Sequence, residues 1–437
     1  MFKWMGKRGK TIRRQAGRIR LFPAVFAALG GGLAVAYVAY QVLHRITPTS
    51  DVKAAPIDIT RVALTIVAGV GGVVALVIAY RRQRDLEQSR FVERFGAAAA
   101  QLAATDVALR IAGVYAMAGV ADESDGLRRQ QCIDVLCGYL RLPYSPELGG
   151  NHQSKLVLKH HRATADGTRA DDQEHHLEYR HNDREVRATI VRVIADHLRP
   201  EAEYSWSASD FDFRTAYLEN VNFSRTTFSG TARFNEASFS GVARFEGATF
   251  NRSAWFGRAR FSGTAGFGGA RFSIAWFDGA TFSTDAEFDG ATFGDHAGFV
   301  EATFSGNAEF DGAALGNYAW FDGAAFSGNA GFDGTTFGDH ARFDGAAFSG
   351  HANFVGAAFS GNAQFDGAIF SDGAEFGEVS FAGQTSFVGA AFGSARISFT
   401  EPRRWGPPPP SFDWGDDGIG KPVNVEPQRW PPAVAAV

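Results

Sequence analysis

The second half of the chain repeats a phenylalanine-rich phrase, and this repeat restricts the fold more than any other feature. Residues 321–331 read FDGAAFSGNAG, and residues 332–342 read FDGTTFGDHAR. From Leu218 to Phe392, Phe or Leu recurs at 33 positions in steps of five or six residues, and Ala precedes 28 of them by two positions. A short period sustained over this length is typical of a solenoid, in which each repeat packs only on its neighbours.

Each Ala-x-Phe unit predicts a very short β-strand. Residues two apart point to the same side of a strand, so Ala and Phe face one interior. The Ser-Gly, Asp-Gly or Gly-Asp pairs that follow are turn residues. Four units with alternating steps of five and six predict about 22 residues per coil, about eight coils and, at about 4.8 Å between strands, a rod about 40 Å long. The repeat by itself gives no reason for the alternation.

Units such as ATFSG, AEFDG and AAFSG resemble the pentapeptide-repeat family, in which a small residue, a polar residue and Leu or Phe are followed by two more. The resemblance implies a right-handed quadrilateral β-helix, a β-solenoid, over residues 205–400. The six-residue units and the scarcity of Leu depart from the family pattern. Upstream, RIAGVYAMAGVAD and REVRATIVRVIADHLRP are similar to segments of membrane-tethered bacterial pentapeptide-repeat proteins, which implies no known activity.

Two uncharged stretches near the N-terminus predict a transmembrane α-hairpin. Residues 21–43 and 62–80 hold no charged residue, and a helix needs roughly 20 apolar residues to span a bilayer. The basic tail 1–20 and the arginines after residue 80 would lie on one side, which the positive-inside rule assigns to the cytoplasm. We therefore expect a multi-pass protein of the inner or plasma membrane, with the lipid bilayer as a partner and both termini cytoplasmic.

Two further regions flank the repeat. Apolar residues at helical spacing predict a small all-α region over residues 86–200, interrupted by a polar, flexible loop at 144–180. The Pro-rich tail, residues 401–437, is predicted to be extended. It carries Trp405, Trp414 and Trp430, which either cover the last coil or serve as an exposed ligand for a partner.

No cofactor, metal or catalytic activity is expected. The histidines of the loop are His160, His161, His175 and His176. They form two adjacent pairs, which lack the fixed ligand spacing of a metal site. Cys132 and Cys137 are interpreted as packed thiols of a helix. The chain contains no recognisable nucleophile–His–acid set and no phosphate-binding loop, so we expect that it is not an enzyme.

Acidic residues concentrate in the later repeats. Between Asp278 and Glu378 the sequence holds 16 acidic residues and one basic residue, Arg342, whereas arginines dominate the earlier coils. With about 22 residues per coil, the Asp residues that follow Phe form two vertical stripes on opposite faces. The first stripe is Asp278, Asp322, Asp344 and Asp366, and the second stripe is Asp289, Asp311 and Asp333.

These stripes are the predicted interaction face, and they support two functions. The first is a membrane-anchored scaffold or protein-interaction module, which presents a rigid acidic rod in the cytoplasm to a protein partner. The alternative is a DNA-mimicking rod that binds a topoisomerase or another DNA-binding protein, as the family resemblance implies for some soluble members. The charge per unit length, roughly one per 1.5 Å, is close to the one per about 1.7 Å of duplex DNA. A nucleic acid partner is not expected, and a homodimer is left open.

Overall fold

The computed structural model describes residues 56–146, 155–160, 173–178, 183–415 and 417–435, with a few scattered positions between 30 and 45. The chain divides into two units, Met1–Glu93 and Arg94–Val437. The basic tail 1–20 and nearly all of the first predicted span, 21–43, lie outside the described residues.

The long helix α1 (Pro56–Leu102) contains the second predicted span, 62–80, but does not end with it. It continues through a stretch rich in Arg and Glu to Leu102, so the apolar run is only one part of a helix of mixed composition. Among the described residues, no helix is long and apolar enough to cross a membrane. The predicted transmembrane hairpin, the bilayer as a partner and the multi-pass membrane localisation with cytoplasmic termini are corrected by this finding.

Three further helices form the small all-α region. They are α2 (Val107–Asp122), α3 (Leu127–Leu140) and α4 (Asp183–Leu198). Asp106 caps α2, because its side chain accepts a hydrogen bond of 3.0 Å from the backbone N–H of Leu109. The apolar faces of the three helices meet in a core that buries residues such as Val114, Ile133 and Ile190.

The segment predicted as a flexible loop, 144–180, contains a β-hairpin. Strands β1 (Lys155–His160) and β2 (Gln173–Glu178) pair antiparallel, with Leu156 opposite Leu177 and Leu158 opposite His175. The sequence KLVLKH holds only three consecutive apolar residues, a run too short to predict a strand by itself. The polar composition of the surrounding segment concealed this short signal, and the loop prediction is wrong for these twelve residues.

From Phe211 onward the chain winds as stacked coils whose short strands form four columns of parallel strands, which we number faces 1 to 4 in chain order. Three strands, β9 (Thr249–Trp255), β12 (Arg271–Trp276) and β15 (Thr292–Gly298), run through the corner from face 1 to face 2. The other strands of face 1 are β5 (Thr227–Phe228), β18 (Ala314–Leu315), β22 (Thr336–Phe337), β26 (Ala358–Phe359), β30 (Ser380–Phe381) and β34 (Arg404–Trp405). The other strands of face 2 are β3 (Phe211–Asp212), β6 (Ala232–Arg233), β19 (Tyr318–Trp320), β23 (His340–Arg342), β27 (Asn362–Gln364) and β31 (Thr385–Ser386).

Faces 3 and 4 each contain nine strands. Face 3 consists of β4 (Tyr217–Glu219), β7 (Ser238–Ser240), β10 (Arg260–Phe261), β13 (Thr281–Phe282), β16 (Thr303–Phe304), β20 (Ala325–Phe326), β24 (Ala347–Phe348), β28 (Ile369–Phe370) and β32 (Ala391–Phe392). Face 4 consists of β8 (Ala243–Arg244), β11 (Ala265–Gly266), β14 (Ala286–Glu287), β17 (Ala308–Glu309), β21 (Ala330–Gly331), β25 (Ala352–Asn353), β29 (Ala374–Glu375), β33 (Ile397–Ser398) and β35 (Val425–Glu426). The predicted β-solenoid is confirmed, and its right-handed sense stays a prediction.

Two kinds of corner explain why steps of five and six alternate. At the tight corners, between faces 2 and 3 and between faces 4 and 1, Phe begins a four-residue turn. In one of them the N–H of Ala324 donates to the Phe321 carbonyl at 3.0 Å, and Gly323 has φ of 63°. This positive φ at the third residue is the mark of a type II turn, for which Asp-Gly is well suited.

The wide corners, between faces 1 and 2 and between faces 3 and 4, hold the extra residue. At Asn329 the backbone N–H donates to the Asn307 side chain at 3.2 Å, and the Asn329 side chain accepts from the His351 N–H at 3.2 Å. The sixth residue therefore links each coil to the next. Two wide corners lack it, one between Leu218 and Phe223 and one between Phe272 and Phe277, and at the second the strand register shifts.

The interior is a close-packed set of aromatic ladders. Rings one coil apart in the same column stack face to face, as Phe304 and Phe326 do at 4.8 Å with 0° between their planes. Rings of neighbouring columns meet edge to face, as Phe310 and Phe321 do at 5.4 Å and 89°. Both geometries are favoured for aromatic pairs, and Ala leaves the room that four rings per coil require. The prediction that Phe and Ala point inward is confirmed.

Helices α2 to α4 pack against the first coils. Trp206 is fully buried, its indole N–H donates to the Asp122 carboxylate at 2.8 Å, and its ring stacks on His197 at 4.0 Å. The Arg187 guanidinium donates to the Tyr217 carbonyl in the first coil at 3.1 Å. The helical region thus covers one end of the aromatic interior.

The C-terminal tail covers the other end. Phe412 stacks on Phe387 at 4.9 Å and thereby adds one more ring to an interior column. Trp414 and Trp430 pack against Phe412 at 4.5 Å and 5.2 Å, and Trp405 contacts Phe399 at 5.8 Å. Of the two readings of the tail, the structure supports coverage of the last coil.

Candidate interaction surfaces of the rod

The predicted acidic stripes lie at corners of the rod. Asp278, Asp322, Asp344 and Asp366 occupy the second position of the tight turns between faces 2 and 3, and we call this row stripe A. Asp289, Asp311 and Asp333 occupy the same position between faces 4 and 1, and we call this row stripe B. The two corners are diagonally opposite, so the two stripes follow opposite corners of the rod and not flat faces, and their role as an interaction face stays a prediction.

Most of these carboxylates also bind the backbone of the next coil. The Asp278 side chain accepts the N–H of Val300 at 3.1 Å, and Asp311 accepts the N–H of Asp333 at 2.8 Å. Asp344 and Asp366 accept equivalent hydrogen bonds from residues 22 positions further on, at 3.2 Å and 3.0 Å. One carboxylate oxygen therefore stabilises the coil stack, and the remaining acceptor capacity faces solvent.

Crowding at the corners changes the acidity of the stripes. Partial burial raises the pKa of Asp278, Asp289 and Asp322, because a charged carboxylate loses hydration there. The neighbouring Asp311 adds repulsion that raises the pKa of Asp289 further, whereas Arg342 partly offsets the burial of Asp322. Burial likewise raises the pKa of Glu287 and Glu309 on face 4.

The single arginine of this region joins two members of stripe A. The Arg342 guanidinium lies 2.9 Å from the Asp322 carboxylate and 3.3 Å from the Asp344 carboxylate. Stripe B has no comparable cation among the described residues of its own region, Asp278 to Glu378, where Arg342 is the only arginine or lysine. Stripe B therefore offers the less neutralised carboxylates for a basic partner.

Sequence reasoning missed an aromatic surface on face 2. The residues directly before and after each inward-pointing Ala of face 2 point outward, and several of them are aromatic. We call this row the aromatic stripe: Trp255, Trp276, His296, Tyr318, Trp320 and His340. Trp255 and Trp276 stack at 5.9 Å, and His296 and Tyr318 stack at 4.7 Å. The stripe is partly exposed; Trp255, for example, has 37% of its surface accessible.

A glycine shapes the middle of the aromatic stripe. A Cβ atom at Gly298 would lie 2.6 Å from the ring of Trp276, so Trp276 fills the space that a side chain would take. Trp276 thereby reaches across one coil to Trp320, at 5.8 Å between ring centres. The signal that could have revealed this surface is the pair of variable positions before and after each Ala, compared between repeats one coil length apart.

Among the residues that the structure describes, no group of His, Cys, Asp or Glu side chains could hold a metal ion. Cys132 and Cys137 are free and buried in the helical region, as predicted, and burial raises the pKa of Cys132 to about 11 and that of Cys137 to about 12. In the β-hairpin the backbone register places Val157 opposite His176 and His160 opposite Gln173. His161 lies outside the described residues.

Comparison with known proteins agrees with this geometry. The family model described as pentapeptide repeats (9 copies) matches seven overlapping windows, at 213–257, 223–271, 245–292, 267–314, 288–336, 310–358 and 332–380. The rod, over residues 213–380, is therefore a pentapeptide-repeat region. No curated protein and no solved structure matches the chain.

Proposed function

We propose that the protein is a protein-interaction module that presents a rigid, acidic rod to a basic surface of a protein partner and has no catalytic role. The single observation that supports this most strongly is the contrast between interior and exterior. Phe and Ala fill the interior completely, while 16 acidic residues lie between Asp278 and Glu378. Recognition therefore falls to the outer side chains, and stripe B is the most exposed row of carboxylates among them.

The experiment is proximity labelling with the full chain, compared between the wild type and a variant that carries Asp289→Asn, Asp311→Asn and Asp333→Asn. Asn keeps an acceptor oxygen for the coil-to-coil hydrogen bonds, and Asn235 already occupies the same turn position in an early coil. We expect the variant to lose the principal partner while its melting temperature stays close to that of the wild type.

A matched control removes three charges elsewhere on the rod. The variant with Asp285→Asn, Asp372→Asn and Glu375→Gln has the same net charge as the stripe B variant but leaves both stripes intact. It should retain the partner. If both variants lose the partner equally, total charge and not stripe B is responsible, and the proposed site is wrong.

The second candidate is a DNA mimic that occupies the DNA-binding site of a topoisomerase or a similar protein. The observation that favours it is the regular spacing of acidic turns along the rod, with roughly one net negative charge per 1.5 Å against one per about 1.7 Å for duplex DNA. Duplex DNA added to the captured complex distinguishes the two. Release of the partner in proportion to added DNA supports mimicry, whereas retention supports the interaction module.

A further inference from the structure

Face 2 combines an apolar centre with opposite charges at its two ends. Its inward residues Ala254, Ala275, Ala297, Ala319 and Ala341 mark five successive levels of the rod, which we call levels 1 to 5. The aromatic stripe covers levels 1 to 5. Level 1 also carries the exposed Arg252 and Arg258. Level 5 carries Asp339 at the position that corresponds to Arg252, and Asp344 one position before the one that corresponds to Arg258.

A surface with this distribution is complementary to itself. Consider a second copy placed face to face in the opposite direction, related by a two-fold axis that crosses the rod at Ala297. Level 1 of each copy then lies opposite level 5 of its partner, and each corner lies opposite the same corner. Such an axis makes an isologous contact, in which every pair of residues occurs twice.

The pairs that this axis generates are favourable at both ends. Arg252 lies opposite Asp339 of the second copy at the wide corner, and Arg258 lies opposite Gly345, next to Asp344, at the tight corner. Trp255 meets Arg342, which is a cation–π arrangement. Neither Arg252 nor Asp339 has an ion pair or side-chain hydrogen bond among the described residues, so both are available for these contacts.

The centre of the surface is apolar, but several contacts of like charge oppose association. At the axis itself, Asp295 and Glu301 each lie opposite the same residue of the second copy. Trp276 of each copy lies opposite Trp320 of the other copy. The two pairs lie on either side of the axis, where Gly298 leaves the surface shallow. Asp278 lies opposite Asp322, which is a contact of like charges. Arg342 offsets part of that repulsion, because it lies 2.9 Å from Asp322 within its own copy.

The position of the axis along the rod also fits a dimer. Below Ala297, face 2 continues for four more levels, through Ala275, Ala254 and Ala232 to Phe211. Above it, the face continues for five, through Ala319, Ala341, Ala363 and Thr385 to the bridge at Ser411. Two rods joined at this axis overlap along nearly their whole length, so the contact extends well beyond the aromatic stripe.

We propose that the protein forms an antiparallel homodimer through face 2, with the aromatic stripe at its centre and the Arg252–Asp339 pair at each end. Stripe B lies at the diagonally opposite corner and stays exposed in this dimer. The inference therefore does not depend on the partner proposed above, and either can fail without the other.

The first experiment is sedimentation analysis of the full chain with two single variants, Arg252→Asp and Asp339→Arg. Each variant alone places like charges opposite each other twice. We therefore expect the dissociation constant of its dimer to be at least about tenfold higher than that of the wild type. An equimolar mixture of the two variants restores two attractive pairs in the mixed dimer, so it should recover the wild-type dissociation constant to within a few-fold.

The second experiment locates the axis. Asp295 lies two residues before Ala297, so Asp295→Cys places a thiol close to its own copy across an antiparallel dimer. A short bis-maleimide should crosslink this variant, but not the control Ser327→Cys, which is exposed at the wide corner between faces 3 and 4. Both natural cysteines are buried, so the introduced thiol dominates the reaction.

The outcomes decide the proposal. A wild-type dimer that both single variants weaken, that the mixture restores and that crosslinks through residue 295 supports it. A monomeric wild type at all concentrations, a dimer insensitive to both charge reversals, or crosslinking through residue 327 alone overturns it.

Discussion

Each interior position of the rod accepts a narrow set of side chains. Phe fills nearly all of the central positions, and Leu218 and Leu315 take the same place with almost no exposure. At the Ala positions, Thr226 and Thr335 are tolerated because each hydroxyl donates to a backbone carbonyl at 2.6 Å. The interior thus requires a given volume at each position and satisfied polar groups, in keeping with close-packed protein cores.

The first prediction concerns the size of an interior ring. Phe326→Ala removes a ring that stacks on Phe304 and Phe348 at 4.8 Å each, and we expect it to lower the free energy of unfolding by about 3–5 kcal/mol. Phe326→Leu should cost less than half as much, since Leu315 occupies an equivalent position. Denaturant unfolding followed by circular dichroism measures both, and equal losses would contradict the argument.

The second prediction separates two kinds of glycine. A Cβ at Gly328 would lie 2.5 Å from the Gly306 carbonyl oxygen, so Gly328→Ala forces neighbouring coils apart and should cost about 1–3 kcal/mol. Gly323 has positive φ, but a Cβ there would meet only the Glu301 side chain, at an ordinary contact distance of 3.7 Å, and Glu301 itself adopts φ of 55° at the equivalent turn position. Gly323→Asn should therefore cost about 1 kcal/mol or less. Thermal melting of the two variants tests the order, and a larger loss for Gly323→Asn would refute it.

At the scale of elements, the ends of the rod need separate structures to cover them. A strand column exposes unpaired N–H and C=O groups at its ends, and such edges promote aggregation. Helices α2 to α4 cover the first coil, with the buried Trp206 at the contact, and the tail covers the last coil with aromatic rings. The helical region is part of the same unit as the rod, so it is more than a linker.

A truncation tests the role of the tail. Removal of residues 401–437 uncovers Phe387, Phe392 and Phe399, which contact Phe412 at 4.9, 6.4 and 5.5 Å. We expect concentration-dependent aggregation of the truncated protein at temperatures where the full chain stays dispersed, as measured by light scattering. Removal of residues 432–437 alone should have little effect. A truncated protein that remains dispersed would show that the tail does not protect the last coil.

At the scale of the whole rod, many carboxylates lie close together and partly buried, and this changes their pKa values. The pKa values of Asp278, Asp289 and Asp322 are raised on folding, so these groups bind protons more readily in the folded state than in the unfolded chain. Between the ordinary carboxyl pKa of 3.8 and the raised folded-state values, stability therefore falls as pH rises and increases on mild acidification.

The resulting pH dependence can be measured by scanning calorimetry. We expect a higher melting temperature at pH 5 than at pH 7, because protonation relieves the burial and repulsion of these carboxylates. The variant with Asp278→Asn, Asp289→Asn and Asp322→Asn should show a smaller difference between the two pH values. An unchanged difference in that variant would assign the effect to other groups.

The repeat by itself determined the interior of the rod. Ala and Phe two residues apart and a step of five or six are local features, and they suffice to predict strands, inward side chains and stacked coils. They predict about eight coils, and faces 3 and 4 each have nine strands. Face 3 has one at each end of the repeat, at Leu218 and Phe392, and the last strand of face 4 comes from the tail at Val425.

Only the tertiary structure decided features that depend on contacts between distant residues. The role of Asn329 requires Asn307 and His351, one coil away on either side. The aromatic stripe forms because residues about 22 positions apart come within one strand spacing, which a local pattern does not reveal. The ends of the rod are likewise covered through contacts between residues distant in sequence, Trp206 with Asp122 and Phe412 with Phe387. The physical reason is that local periodicity determines which side of a strand a residue faces. Its neighbours in space are determined by the length of each coil, which depends on the number of residues at every corner.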